Sequence, residues 1–256
     1  MRMIEGGEGE DTAMKTYSIR PIPLVLGAAT LDNRLFRCGM RYPIPHANSS
    51  FYIEGARKKI LVDSGVSVED FVKHGSLGNR HIQTLPEGLA KLGLKPEDID
   101  IVVQTHLHFD HRSFAALFTK ARFLVQKAEL EYHRHPQPYE PRPCPKEVLD
   151  KLNWQVLDGD YEIEDGITVL FTPGHTPGGQ SLVVRTAKGL AIIEGLDSND
   201  EIYSPPEGMG WTGEVGTAAI HSDPALAYQN ALKVKKMADI VVPLHEARWV
   251  WVDRIP

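Results

Sequence analysis

The hexapeptide HLHFDH at 106–111 constrains this chain more than any other feature, because it follows the largely apolar stretch 99–103. Three imidazoles and one carboxylate in six residues have no use in packing a core. Imidazole nitrogen and carboxylate oxygen are, however, ligands that suit Zn, Fe, Mn or Co. In an extended loop the first two histidines point to one side, and the Asp and the last His lie past a bend. The hexapeptide therefore predicts two sets of metal ligands.

Composition excludes two classes of partner. A net charge of −6 argues against a nucleic-acid surface, which needs a basic face, and no apolar run is long enough to cross a bilayer. We expect residues 1–14, rich in Gly and Glu, to be a disordered leader and residues 15–256 to form a single domain. Cys38 and Cys144 have no Cys-x-x-Cys partner and fit a reducing compartment. We therefore expect a cytoplasmic protein.

Hydrophobic alternation and turn residues predict strands interleaved with short helices. Thr84 and Glu87 form a capping box with Pro86 at the first helical position, which predicts a helix there. Residues 201–222 are rich in Gly and Pro and predict a long loop, of the kind that often forms lids or binding segments. Strands are predicted at 17–27, 51–55, 59–63, 99–103, 122–126, 154–157, 161–163, 167–172, 180–185, 190–193 and 239–242, and further helices near 67 and at 113–118, 127–134, 146–152 and 224–237.

Four predicted strands end in the same way, with a His or Asp in the loop just beyond the strand. If these strands share an edge, the polar side chains converge on one cleft and predict a dinuclear site, with two ions about 3.5–4 Å apart. A carboxylate can ligate two metals at once, so the late aspartate is assigned as the bridge. The predicted ligands are His106, His108 and His175 for the first ion, Asp110, His111 and His245 for the second, and Asp197 between them.

With the motifs HLHFDH and GHTPGGQS, a late Asp and a late His, the chain resembles the metallo-β-lactamase superfamily from about residue 17 onward. Asp63, in the segment 62–65, matches the early Asp-Thr/Ser-Gly turn of that family, which supports a ligand there. The resemblance implies the α+β class and a four-layer αβ/βα sandwich, with the active site at one edge of the β-sandwich. It also implies two divalent metal ions, for which we expect zinc before Fe, Mn or Co.

Within the superfamily, the chain is most similar to the N-acyl-homoserine-lactone lactonase group, the quorum-quenching enzymes. This similarity implies ring-opening hydrolysis of a lactone by a hydroxide that bridges the metals, with Asp110 passing a proton to the leaving alkoxide. The lactonases carry a Tyr three positions after the bridging Asp, where this chain has Asp200. Tyr203 is the nearest tyrosine and is the expected replacement. Arg112 stands where lactonases carry a small residue, and would either bind a substrate carboxylate or pair with a surface acid.

Other polar residues near these motifs have expected places. Glu194 and Glu246 lie next to proposed ligands and are expected to accept imidazole N–H groups. His133 is expected at the surface, and His46 in a loop near the cleft.

Other readings of the same residues stay open. A glyoxalase-II-like thioesterase, or an aryl-ester or phosphotriester hydrolase, would keep the metals and change the substrate. A metal-binding sensor without turnover would keep the metals alone. We expect a small-molecule lactone or ester substrate and no nucleic-acid or membrane partner. The sequence is compatible with a homodimer.

Overall fold

A computed structural model describes residues 14–30, 43–73, 80–138, 143–208, 212–218 and 220–256. The predicted leader therefore lies outside the described residues except for Met14, and so does Cys38. None of the described helices is long and apolar enough to span a bilayer.

The strands are β1 (Ser18–Thr30), β2 (Pro43–Glu54), β3 (Ile60–Val62), β4 (Arg80–His81), β5 (Ile101–Val103), β6 (Arg122–Gln126), β7 (Trp154–Leu157), β8 (Tyr161–Glu164), β9 (Ile167–Phe171), β10 (Gln180–Thr186), β11 (Gly189–Ile193) and β12 (Ile240–Val242). The helices are α1 (Val68–Lys73), α2 (Leu85–Lys91), α3 (Phe109–Arg112), α4 (Lys127–Arg134), α5 (Lys146–Lys151), α6 (Asp200–Tyr203) and α7 (Pro224–Met237).

Two mixed sheets pack face to face. The first has the strand order β4-β1-β2-β3-β5-β6-β7, and the second has the order β12-β11-β10-β9-β8. Strand side chains alternate between the two faces of a sheet. In β5, Ile101 and Val103 accordingly enter the core between the sheets, while Val102 packs on the outer face. In β11, Ala191 and Ile193 enter the same core, and Ile192 faces outward.

Helices cover both outer faces. Leu85 and Leu89 of α2 and Phe71 of α1 pack on the first sheet, and Ala231 and Val234 of α7 pack on the second. The capping box of α2 is present, with the Thr84 N–H donating to Glu87 Oε2 at 2.7 Å. The layers run helix, sheet, sheet, helix, which confirms the predicted αβ/βα sandwich.

The prediction of a helix at 113–118 is wrong. The helix is α3, which begins four residues earlier, inside the hexapeptide, and residues 115–117 form only a short 3₁₀ turn. The backbone N–H groups of Ser113 and Phe114 donate to Gly65 and Ser64 across the fold, which ends α3. The predicted loop 201–222 is corrected at its start, where α6 occupies Asp200–Tyr203. Residues 209–211 and 219 of that loop lie outside the described residues.

Candidate metal centre

The proposed ligands lie at one edge of the sandwich, and both sheets contribute. The loop after β5 belongs to the first sheet, and the loops after β9, β11 and β12 belong to the second. The β5, β11 and β12 strands are each paired in parallel with a neighbour, so their carboxyl ends meet at a common edge. Side chains far apart in sequence, from His106 to His245, therefore come together by topology.

A first group consists of His106, His108 and His175, whose ligand atoms lie within 4.8 Å of one another. His106 is fully buried and His175 is 4% exposed. Their imidazole rings pack edge to face, with centroids 4.6 Å apart. The first group thus holds the three imidazoles that the sequence assigns to the first ion.

A second group consists of Asp110, His111 and His245, again with ligand atoms within 4.8 Å. Asp197 lies beside it, with Oδ1 at 3.1 Å from His245 Nε2. Asp110 Oδ2 lies 3.5 Å from His111 Nε2. The structure therefore brings all seven predicted ligands to one place.

Hydrogen bonds fix which ring nitrogens of the first group carry a proton. His175 Nδ1 donates to the Ile220 carbonyl at 2.8 Å. The Thr105 hydroxyl donates to Asp63 at 2.8 Å, so it can only accept from His106 Nδ1, 3.1 Å away. In the neutral rings the Nε2 atom of each histidine then carries no proton and presents a lone pair.

These two bare nitrogens face each other. His106 Nε2 and His175 Nε2 are 3.2 Å apart, a repulsive approach for two acceptors. A cation beside both nitrogens turns the repulsion into coordination, and neutral imidazole is the form that binds metal. The residues present therefore fit a divalent metal.

The pKa values of the histidines divide in the same way. Burial, followed by the charge of neighbouring imidazoles, lowers the pKa of His106 far below its usual value. The same causes lower the pKa of His108 to about 3. For His111, burial alone would lower the pKa, but Asp110 and Asp63 outweigh it and raise the pKa to about 9. Burial thus favours the neutral rings of His106 and His108, and His111 lies in a negative potential that attracts a cation.

The Asp110 carboxyl is held ionised. Burial would raise its pKa, but the neighbouring His111 and His245 lower it below its usual range. Asn48 donates a hydrogen bond from Nδ2 to Asp110 Oδ2 at 3.0 Å. Asp110 therefore meets the incoming cation as an oriented anion.

Two strained aspartates mark this edge. Among the described residues outside glycine, positive φ occurs at Asp63 (57°) and Asp197 (53°). Such backbone conformations cost energy for residues with a Cβ and concentrate at functional sites. Asp63 accepts a hydrogen bond from His111 Nδ1 at 2.8 Å. It therefore occupies the supporting place that the family turn implies.

Sequence reasoning missed several buried polar residues of the site. His133 is 2% exposed and bonds Glu129, so its predicted surface position is wrong. His46 lies on β2, not in a loop, and stacks on His245 with ring centroids 4.6 Å apart. Asn48 gave one usable signal, because it begins a polar run inside an otherwise apolar strand.

Three other predicted residues, Tyr203, Asp200 and Arg112, are not members of the two groups. The Tyr203 phenol is buried, and burial followed by the charge of Glu194 raises its pKa far above the usual value. Asp200 pairs with Arg248. Arg112 donates from Nε to the Leu107 carbonyl at 2.8 Å, so it braces the hexapeptide backbone.

The two glutamates expected to accept imidazole N–H groups bond other donors. Glu194 accepts the backbone N–H groups of Leu196 and Leu244, and Glu246 accepts those of Asp200 and Arg248.

Known proteins are similar to this chain in sequence and in fold. The sequence profile of the metallo-beta-lactamase superfamily matches residues 43–238. An N-acyl homoserine lactonase from a Bacillus species is 30% identical over 203 residues, which is 75% of this chain and 75% of that protein.

Solved structures agree with the sequence comparison. An N-acyl homoserine lactone hydrolase, with the product N-hexanoyl-L-homoserine at its catalytic metal center, superposes with a TM-score of 0.74 at 25% identity. The match covers 93% of this chain and 96% of that one. A quorum-quenching N-acyl homoserine lactone lactonase gives a TM-score of 0.72 at 26% identity, over 92% and 94% of the two chains. The relatives are thus hydrolases of lactone ester bonds, and this chain belongs to the metallo-β-lactamase superfamily.

Proposed function

We propose that this protein is a dinuclear metal-dependent hydrolase that opens the ring of N-acyl homoserine lactones or similar lactones. The observation that carries the proposal is the pair of bare imidazole nitrogens 3.2 Å apart in the first group, beside a second group in a negative potential. The relatives that share the fold and about a quarter to a third of the sequence act on acyl homoserine lactones.

In this proposal the first group holds one divalent ion and the second group holds the other. Asp197 would be shared between the two ions, because a carboxylate has two oxygens that can bind metal, and its Oδ1 lies 3.1 Å from His245 Nε2. Five imidazoles and two carboxylates suit zinc before iron, manganese or cobalt. The hydrogen bonds to Asp63 and the Ile220 carbonyl would orient His111 and His175 toward their metals.

The two ions, when bound, would supply a nucleophile from water near neutral pH and polarise the lactone carbonyl. Asp110 would accept the proton of that water and return it to the alkoxide that leaves when the ring opens. Asn48 keeps the Asp110 carboxylate in one orientation for this transfer. Tyr203, the buried last residue of α6, is our candidate for a hydrogen bond to the substrate carbonyl.

Further expectations belong to the same proposal. Residues 15–256 form one domain, the protein works in the cytoplasm, and its substrate is a small molecule. Both a monomer and a homodimer of that domain are compatible with the proposal.

The test combines metal analysis with a hydrolysis panel. Elemental analysis of purified protein is expected to give close to two metals per chain. A pH-indicator assay with acyl homoserine lactones, simple lactones, thioesters and aryl esters is expected to show lactone turnover that is lost in Asp197→Ala. Two metals with turnover only of thioesters or aryl esters would move the protein to another ester class. Two metals without any turnover would favour a sensor, and the absence of metal would overturn the proposal.

A further inference from the structure

Glu129, at the start of α4, is a buried carboxylate that joins two loops of the metal centre. Its Oε1 accepts the N–H of Leu107 at 2.8 Å, and Leu107 is the residue between the first two candidate ligands. Its Oε2 accepts the N–H of Gly178 at 3.2 Å, in the loop that carries His175. His133 Nε2 lies 3.1 Å from Oε1 and completes the cluster. One carboxylate therefore binds the backbone of both loops that form the first group.

Glu194, at the end of β11, has the same relation to the other half of the centre. It is fully buried, and its Oε2 accepts the N–H of Leu196 at 2.7 Å. Its Oε1 accepts the N–H of Leu244 at 3.1 Å and the hydroxyl of Ser198. Leu196 and Ser198 flank Asp197, and Leu244 precedes the last candidate ligand in the chain. This carboxylate therefore binds the backbone of the two loops that carry Asp197 and His245.

We propose that Glu129 and Glu194 are positioning residues, each of which fixes the ligand geometry of one metal. Glu129 serves the first group, and Glu194 serves the side of the second group formed by Asp197 and His245. The inference rests on the proposed function, because it assumes two bound metals. Neither glutamate is a ligand: their oxygens are occupied by backbone N–H groups adjacent to ligands, or close to them in the same loop.

The bonding pattern requires a carboxylate. Each glutamate accepts a backbone N–H on both of its oxygens, one N–H from each loop. A glutamine of the same shape keeps one acceptor and turns an NH₂ group toward the other backbone N–H. Glu129→Gln and Glu194→Gln therefore keep the volume but release one loop each. Loss of such an outer partner weakens metal affinity by about 10–100-fold.

The experiment measures each metal separately. His111→Ala disables the second group and leaves the first, and His175→Ala does the reverse. Apo-protein of each background, prepared by dialysis against a chelator, is titrated with Co²⁺ and followed by its visible absorption. Glu129→Gln is expected to weaken Co²⁺ binding about 10–100-fold in the His111→Ala background, and by less than about threefold in the His175→Ala background. Glu194→Gln is expected to weaken Co²⁺ binding most in the His175→Ala background, which retains His245 beside Leu244, and less in the His111→Ala background, where it acts only through Asp197.

A matched control is available on the opposite edge of the sandwich. Glu164 is 7% exposed and also accepts a backbone N–H, that of Arg57 at 3.3 Å. Glu164→Gln is expected to change neither titration. Each variant carries its own folding control as well, because Co²⁺ binding that is clearly less affected in one background than in the other shows that the chain is folded.

The outcomes separate two failures. If the wild type binds fewer than two Co²⁺ ions, the proposed function fails. If it binds two but each glutamine variant weakens both ions equally, or neither, the assignment of one glutamate to each metal is overturned. Co²⁺ absorption spectra identical to those of the parent backgrounds in both glutamine variants would also overturn this assignment.

Discussion

Asp63→Asn is the sharpest test of how this site is supported. The Asp63 carboxylate accepts four hydrogen bonds, two on each oxygen. Oδ2 accepts from His111 Nδ1 and from the Thr105 hydroxyl, both at 2.8 Å. Oδ1 accepts from the Thr105 N–H at 2.7 Å and from Gln104 Nε2 at 3.2 Å. The substitution keeps the side-chain shape, and asparagine tolerates the positive φ of this position.

The magnitude follows from what the amide can no longer do. One of its two ends must present NH₂ to donors, and its charge is lost at both. A hydrogen bond to a charged group is worth about 1.5–3 kcal/mol. Since 1.36 kcal/mol is about tenfold in an equilibrium constant, we expect metal affinity to fall about 10–100-fold. Activity at limiting metal should fall in parallel.

The assay is competition with a chromophoric chelator, combined with kcat/KM for a lactone at several metal concentrations. Excess metal should restore much of the activity, because the ligands themselves are unchanged. Asp165→Asn is the control, since Asp165 pairs with Arg185 at the exposed surface. Equal metal affinity in Asp63→Asn and the wild type would refute the claim that this carboxylate orients His111.

Further predictions concern packing, acid stability and thiol chemistry. Gly178→Ala would place a Cβ 2.1 Å from the backbone nitrogen of Glu129, so urea unfolding should show a loss of about 1–3 kcal/mol, and an unchanged midpoint would contradict this contact. Burial would raise the pKa of Glu164, but hydrogen bonds from Arg57 and others lower it, so its stabilisation is present above the unfolded pKa of about 4.3 and is lost as the pH falls below it. In Glu164→Gln the free energy of unfolding should therefore fall less steeply as the pH is lowered below about 4.3. A slope equal to that of the wild type would contradict the role of the Glu164–Arg57 pair. Burial raises the pKa of Cys144 to about 11, so in a Cys38→Ser chain its alkylation at pH 8 should be at least about 100-fold slower than that of a free thiol. Rapid labelling of the folded chain would exclude this environment.

The metal ligands were predictable because each follows a strand. An apolar strand such as β9 is visible in the sequence, and the polar residue beyond its end, here His175, stands out against it. Parallel pairing then brings several such strand ends to one edge of the sandwich. This convergence follows from the fold and cannot be read from any single motif. The supporting residues had no such signal. Glu129 lies on a short helix among other charged residues, and its burial depends on a loop about fifty residues away.

Local structure inside the hexapeptide was also beyond the sequence pattern. The helical turn at residues 109–112 ends where Ser113 and Phe114 donate their N–H groups to the carbonyls of Gly65 and Ser64, so tertiary contacts decide the end of α3. The sequence therefore predicted which polar side chains lie close together, but it placed the helix four residues too late. Propensity fixes little over such a short segment, and long-range hydrogen bonds decide it.

Asp200 explains why substrate preference is harder to derive than metal binding. It stands where the resemblance to the lactonase group implies a tyrosine, and it pairs with Arg248 near the end of the sequence. Burial, followed by the charge of Glu246, raises the pKa of Asp200 to about 6 in spite of that arginine. A group with this pKa changes charge within the neutral range, so it cannot replace a phenol as a constant hydrogen-bond donor. Under the proposed function we expect another group to bind the acyl carbonyl, and an assay of lactones that differ only at that carbonyl, with Tyr203→Phe beside Asp200→Asn, would show which side chain supplies the hydrogen bond.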